Sequence, residues 1–180
     1  FILCLLTMRK SFFKNILLAF ALVLASASCQ AASRDKIKAD SCLTKALGDS
    51  ISHIIQSSRH IRTFICNTDK GKITNTNIKK LSRKQNYLFK FLLSNPQMSK
   101  HDEVVFGHFS PCIGFELKKS NKEKVFIYAD FGLGKWMICN AQNKQIKRFD
   151  IEGYELLRFS TMLYPTDEFM TSIYNNRLSK

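Results

Sequence analysis

The sequence predicts an α+β fold with N-terminal helices, an antiparallel four- to five-stranded meander sheet and C-terminal helices. Three observations predict it. From Val104 to Phe149 apolar residues alternate, on either side they return to helical spacing, and turn signals divide the alternating stretch at hairpin intervals.

The amino-terminal segment has the layout of a secretory signal peptide. A chain that opens on Phe1 is either a fragment or translated from upstream of its start, and Met8 is read as the start. Arg9, Lys10 and Lys14 form a positive n-region, Ile16 to Leu24 an apolar h-region, and Ala25-Ser26-Ala27 a small-residue cleavage signature. Cleavage after Ala31 or Ala32 fits as well. A membrane anchor needs about 20 apolar residues, and Arg9 and Lys10 interrupt the run. Cys29, preceded by Ala27-Ser28, is a candidate for lipidation of the bacterial lipoprotein type, although Ser26 stands where an aliphatic residue is usual. The expected division is a signal segment over 1–31 and a single domain over 32–180. The expected location is periplasmic or secreted, with tethering through Cys29 as the variant.

Removing Met8–Ala31 takes away three of 28 basic residues and none of 14 acidic ones, leaving a net charge of +11. That excess suits an anionic partner. For an exported chain the candidates are an acidic protein, acidic polysaccharide or membrane headgroups. Nucleic acid ranks below them, because no basic run is interleaved with stacking aromatics.

Between Asp35 and Cys66, Leu43, Leu47, Ile51, Ile54, Ile55, Ile61 and Ile65 recur at helical spacing, with Gly48-Asp49-Ser50 as a kink or break. His53 and His60 then lie on one side of this helix, too far apart to share a metal. A polar loop follows over Asn67–Asn77. A second helix is expected from Thr76 or Asn77 to Leu93, with Ile78, Leu81, Gln85, Leu88 and Leu92 on its apolar line and Lys79, Lys80, Arg83 and Lys84 on its basic face. Asn95-Pro96 ends it.

The expected strands are Glu103–Phe109, Cys112–Lys118, Lys124–Phe131, Lys135–Ala141 and Lys144–Phe149. If Lys118 faces Lys124, then Ile113, Phe115 and Leu117 lie against Ala129, Ile127 and Val125 on one core face. A turn over Gly132–Gly134 extends that face to Met137 and Cys139. The other face then carries Cys112, Gly114, Glu116, Phe126, Tyr128, Asp130, Trp136, Ile138 and Asn140. Either a helix or the first strand covers this face, or its aromatic part, Phe126, Tyr128 and Trp136 with Asp130, is a recognition surface, because large aromatics ringed by polar groups dominate binding patches. After the sheet, Asp150 is expected to cap a helix through Tyr154, Leu157, Phe159 and Leu163, closed by Pro165. Thr166 starts a last short helix, with fraying from Asn175 to Lys180.

Four cysteines, Cys42, Cys66, Cys112 and Cys139, remain after Cys4 and Cys29 are set aside, an even number suited to an oxidising compartment. The expected register puts Cys112 and Cys139 on opposite faces. One continuous helix separates Cys42 from Cys66 by about 36 Å at 1.5 Å per residue. If that helix is continuous, helix-to-sheet bridges are the geometrically permitted solution, with Cys42 and Cys66 divided between Cys112 and Cys139; the alternative is that some are free buried thiols. None of the four has zinc-knuckle spacing, and no metal or cofactor is expected.

The leucine-rich helix Leu81–Leu93, the strand opening Phe109-Ser-Pro111-Cys-Ile113-Gly-Phe115 and the helix ending at Tyr164-Pro165 resemble a group of small secreted bacterial proteins. The group tends to place cysteines in the next strand, where this chain has Tyr128-Ala-Asp130-Phe131. The resemblance implies a fold and an exported setting.

Candidates for acid–base chemistry are His101, Asp102, Glu103 and His108 beside Asp130, but no nucleophile or phosphate-binding motif accompanies them. The sequence therefore points away from an enzyme and towards a binding protein of inhibitor or immunity type that docks an acidic protein. The alternative is an envelope protein resting its basic helix on anionic membrane.

Overall fold

Alternation in the central part of the chain produces four consecutive antiparallel strands, as the sequence predicts. In the computed structural model, which describes residues 43–69, 72–99 and 107–178, these are β3 (Ile113–Lys118), β4 (Lys124–Asp130), β5 (Lys135–Cys139) and β6 (Gln145–Asp150). A hairpin of β1 (His60–Asp69) and β2 (Lys72–Lys80) precedes them. All six strands form one antiparallel sheet in the order β2-β1-β3-β4-β5-β6.

The hairpin replaces the end of the first expected helix, the loop after it and the start of the second. Ile61 and Ile65 are four apart and satisfy both a helical and a strand period. Ile61, Thr63 and Ile65 alternate with Arg62, Phe64 and Cys66, and the β-branched and aromatic side chains favour the strand. Consequently His53 and His60 lie on different elements. Of the expected first strand Glu103–Phe109, residues 103–106 lie outside the described residues, and Gly107–Phe109 forms no strand.

A helical stretch over 43–47 and α1 (Asp49–Ser57) meet at Gly48, whose φ of 80° favours glycine. α2 (Arg83–Leu93) begins later than expected, because Ser82 and Gln85 close a capping box. The Gln85 amide donates to Ser82 Oγ at 3.3 Å, and the Ser82 amide donates to Gln85 Oε1 at 2.8 Å. Phe89, Leu92 and Leu93 form its buried side. A 3₁₀ turn, Pro96–Ser99, follows.

α3 (Glu155–Leu163) and α4 (Glu168–Leu178) complete the chain. Asp150 does not cap α3. It ends β6 opposite Lys135 and pairs with that buried lysine. The carboxylate that serves a helix start is Asp167, which accepts the Met170 amide at 2.9 Å, in place of the expected Thr166. Helix continues to Leu178 rather than fraying from Asn175.

The register of β3 with β4 is the expected one, with Ile113 opposite Ala129, Phe115 opposite Ile127 and Lys118 opposite Lys124. The next hairpin is offset by one residue. Asp130 pairs with Lys135 across a four-residue loop, so Trp136 faces Ala129 and Ile138 faces Ile127. A one-residue shift exchanges the faces of a strand. Trp136 and Ile138 therefore join the main core with Ile61, Ile113, Phe115, Leu117, Phe89 and Phe159, whereas Met137 and Cys139 turn to the second face. Trp136 is 1% exposed, stacks on Phe149 at 4.6 Å and donates its indole N–H to Met98 O at 2.6 Å. This corrects its expected place on the recognition surface.

Candidate functional site

Strand periodicity places Arg62, Phe64 and Cys66 of β1, Gly114 and Glu116 of β3, Phe126, Tyr128 and Asp130 of β4, and Met137 and Cys139 of β5 on the second face. Phe64, Cys66, Tyr128 and Cys139 form a small cluster there, flanked by Ile73, Phe109, Phe126 and Met137. Every member is a strand residue except Phe109. Phe126 stacks against Tyr128 at 6.3 Å and stays half-buried, with Lys124 Nζ over its ring at 5.1 Å. Tyr128 is 3% exposed, and burial raises its phenol above the usual range.

One corner of this face gathers cations from four strands. Register puts Lys80 opposite Arg62, Arg62 opposite Glu116, His60 opposite Lys118, and Lys118 opposite Lys124. His60, Arg62, Lys80, Glu116, Lys118 and Lys119 line a cleft of about 380 Å³. Its one carboxylate, Glu116, is 7% exposed and accepts Arg62 Nε at 2.7 Å. At the adjoining turn Lys119 Nζ donates to Glu123 Oε1 at 2.8 Å, and this hydrogen bond holds the Glu123 carboxyl below its usual range. Among the described residues no carboxylate pairs with Lys80 or Lys118.

The basic residues expected on one helix are thus divided. Lys79 and Lys80 belong to β2, and Arg83 and Lys84 to the first turn of α2. Lys79 points to the helix side, donating to Leu163 O at 2.8 Å and lying over the Tyr164 ring. Lys80 turns to the second face and joins Arg62 and Lys118, which sequence reasoning missed. The signal was present in the alternation His60-Ile-Arg-Thr-Phe-Ile-Cys, which assigns Arg62 to the face opposite Ile61 and Thr63.

Asp130 is 5% exposed and serves the backbone. Its two oxygens accept the amides of Ser110 at 2.8 Å and Leu133 at 2.9 Å. His108 is exposed and lines a second cleft of about 490 Å³ with Cys66, Cys112, Asp130 and Asp167. His101, Asp102 and Glu103 lie outside the described residues, as do Cys29 and Cys42.

Cys66, Cys112 and Cys139 are free thiols in this structure. Cys66 lies on β1, not a helix, and its amide donates to Cys112 O at 2.9 Å. The Cys112 amide donates to Ala129 O, the residue opposite Ile113, so two consecutive residues face one partner in the manner of a β-bulge. This turns Cys112 towards the helix-side core, against the expected alternation, with Sγ donating to Ala129 O at 3.3 Å. Burial pushes the Cys112 thiol up to about 12, the Cys139 thiol up to about 11, and the Cys66 thiol higher still.

Among the described residues no group of three or more His, Cys, Asp or Glu side chains is placed to hold a metal, and no helix is long and apolar enough to cross a membrane. Comparison with protein-family models, with curated proteins and with solved structures finds no match.

Proposed function

We propose that this chain is an exported binding module, of inhibitor or immunity type, that docks an acidic protein partner on the basic corner of its second sheet face. The observation that carries the reading is the convergence of His60, Arg62, Lys80, Lys118 and Lys124 across four adjacent strands. Like charges directly opposite in an antiparallel pair oppose folding. A corner that keeps Arg62 against Lys80 and Lys118 against Lys124 is relieved when a partner brings carboxylates to it. Charge would steer the encounter, and half-buried Phe126, beneath Lys124, would supply apolar contact at the rim. Arg62 is held by Glu116, so Lys80, Lys118 and Lys124 are the cations that meet the partner's carboxylates.

The test uses a fluorescent glutamate-rich decapeptide and its anisotropy at low salt. Lys80→Glu/Lys118→Glu is expected to weaken binding at least tenfold, while the distant exposed pair Lys72→Glu/Lys144→Glu stays within about twofold, because converging charges focus the field at the corner. Equal losses in both double variants would overturn the location and leave only a diffuse positive charge.

A further inference from the structure

The outer side of α2 is a separate surface. Tyr87, Leu88 and Phe91 are 74%, 40% and 57% exposed, although they belong to a helix whose other side is buried through Phe89, Leu92 and Leu93. Their spacing of three and four residues, continued by Arg83 and Lys84, puts all five on one face. From Arg83 to Leu93 the helix contains no carboxylate. Arg83 and Lys84 stand in its first turn, where the helix dipole already presents positive potential. Among the described residues no carboxylate pairs with Arg83 or Lys84.

We infer that this face of α2 rests on an anionic lipid surface. Phe91 and Leu88 would enter the boundary between headgroups and acyl chains, Tyr87 would keep its hydroxyl among the headgroups, and Arg83 and Lys84 would meet lipid phosphates at the positive helix end. The combination of a short apolar stripe, aromatic side chains and flanking cations is that of a helix lying in a membrane interface. A protein partner for the stripe would need an apolar groove with an acidic lip. A phosphatidylglycerol bilayer offers both properties along any line of its surface. The inference is independent of the sheet corner, because Arg83, Lys84, Tyr87, Leu88 and Phe91 are absent from the cleft lining.

The experiment is photo-crosslinking of the full chain to vesicles of phosphatidylcholine and phosphatidylglycerol, seven to three, doped with a diazirine phosphatidylglycerol. Tryptic peptides read the labelled region, so contacts made by the amino-terminal apolar segment are scored separately. The peptides spanning 85–90 and 91–100 are expected to be labelled at least tenfold more than 136–144, and at least tenfold more than in phosphatidylcholine vesicles carrying a diazirine phosphatidylcholine. Arg83→Glu/Lys84→Glu, in which trypsin releases 81–90 in place of 85–90, should remove the excess from 81–90 and 91–100, and Lys80→Glu/Lys118→Glu should keep most of it. Labelling of 85–90 no greater than that of 136–144, or equal in neutral vesicles, would overturn the inference. So would a dimer that Tyr87→Ser/Phe91→Ser dissociates, since the stripe would then be an interface between two copies. Neither result touches the peptide-binding test of the sheet corner.

Discussion

Gly114 has no side chain where the Phe64 ring crosses β3, and a Cβ built there falls inside the van der Waals surface of that ring. The ring in turn meets Tyr128 edge-on at 6.1 Å, so the second face packs because one strand yields space to its neighbour. Gly114→Ala is expected to cost about 1–3 kcal/mol by overpacking. A urea titration checks it, and Phe64→Leu in the same chain should recover part of the loss. Trp136 fixes the other face. Trp136→Ala should cost about 3–5 kcal/mol, as cavity formation adds to the orphaned Met98 carbonyl, which a shift in the urea midpoint reads directly. The buried thiols give a pH dependence. Unfolded, they ionise near their ordinary value; folded, burial holds them protonated to about 12 for Cys112 and about 11 for Cys139. Above about pH 9 the unfolded chain therefore binds fewer protons than the fold, and stability falls as pH rises. Urea midpoints should decline from pH 8 to pH 10.5, less steeply in Cys112→Ala, and a flat profile would contradict the burial argument.

At the scale of elements, the β1–β2 hairpin decides where the cations go. Asp69 pairs with Lys72 at its closed end, and Thr63 with Lys79 and Ile65 with Thr76 bracket a bulge. Asn77, at φ 50°, sits in that bulge, and its carbonyl accepts the Tyr164 hydroxyl at 2.9 Å. The bulge helps place Lys79 on the helix side and Lys80 on the open side. Lys118→Glu turns a repulsive cross-strand pair with Lys124 into an attractive one, so it should raise stability by about 0.2–1 kcal/mol while weakening acidic-peptide binding. A variant that loses both stability and binding would contradict the account of this corner.

The meander was legible in the sequence because Ile113, Phe115 and Leu117 can face Val125, Ile127 and Ala129 in only one register. The hairpin β1–β2 was not, since Ile61 and Ile65 fit two periods and only Thr63 and Phe64 between them favour the strand. The β4–β5 loop was one residue longer than its glycines implied. That single residue moved Trp136 from the supposed recognition face into the core and put Met137 and Cys139 in its place. On α2, Leu88 fell on the expected apolar line, yet the helix packs through Phe89 instead, leaving Leu88 with Tyr87 and Phe91 outside. Of the expected site, Phe126 keeps a partly open position, Tyr128 lies buried in the second-face cluster, and Asp130 serves the backbone. Arg62 and Lys118 emerged only when register put Arg62 opposite Lys80 and Lys118 opposite His60 and Lys124.

For the whole molecule, 28 basic against 14 acidic residues set a positive field, but an even field would not select a partner. Selection requires the charges to converge, and they do so across β2, β1, β3 and β4. Exposed pairs weaken as the Debye length shortens from about 10 Å at 0.1 M salt to about 3 Å at 1 M, so peptide binding should fall steeply over that range. The most direct measurement is a map of amide chemical-shift changes as the glutamate-rich decapeptide is titrated into the isotope-labelled chain. The largest changes are expected at His60, Arg62, Lys80, Lys118 and Lys124, saturating together and lost in Lys80→Glu/Lys118→Glu. Changes spread evenly over the lysines, or centred on Arg83 and Lys84 of α2, would contradict docking at this corner.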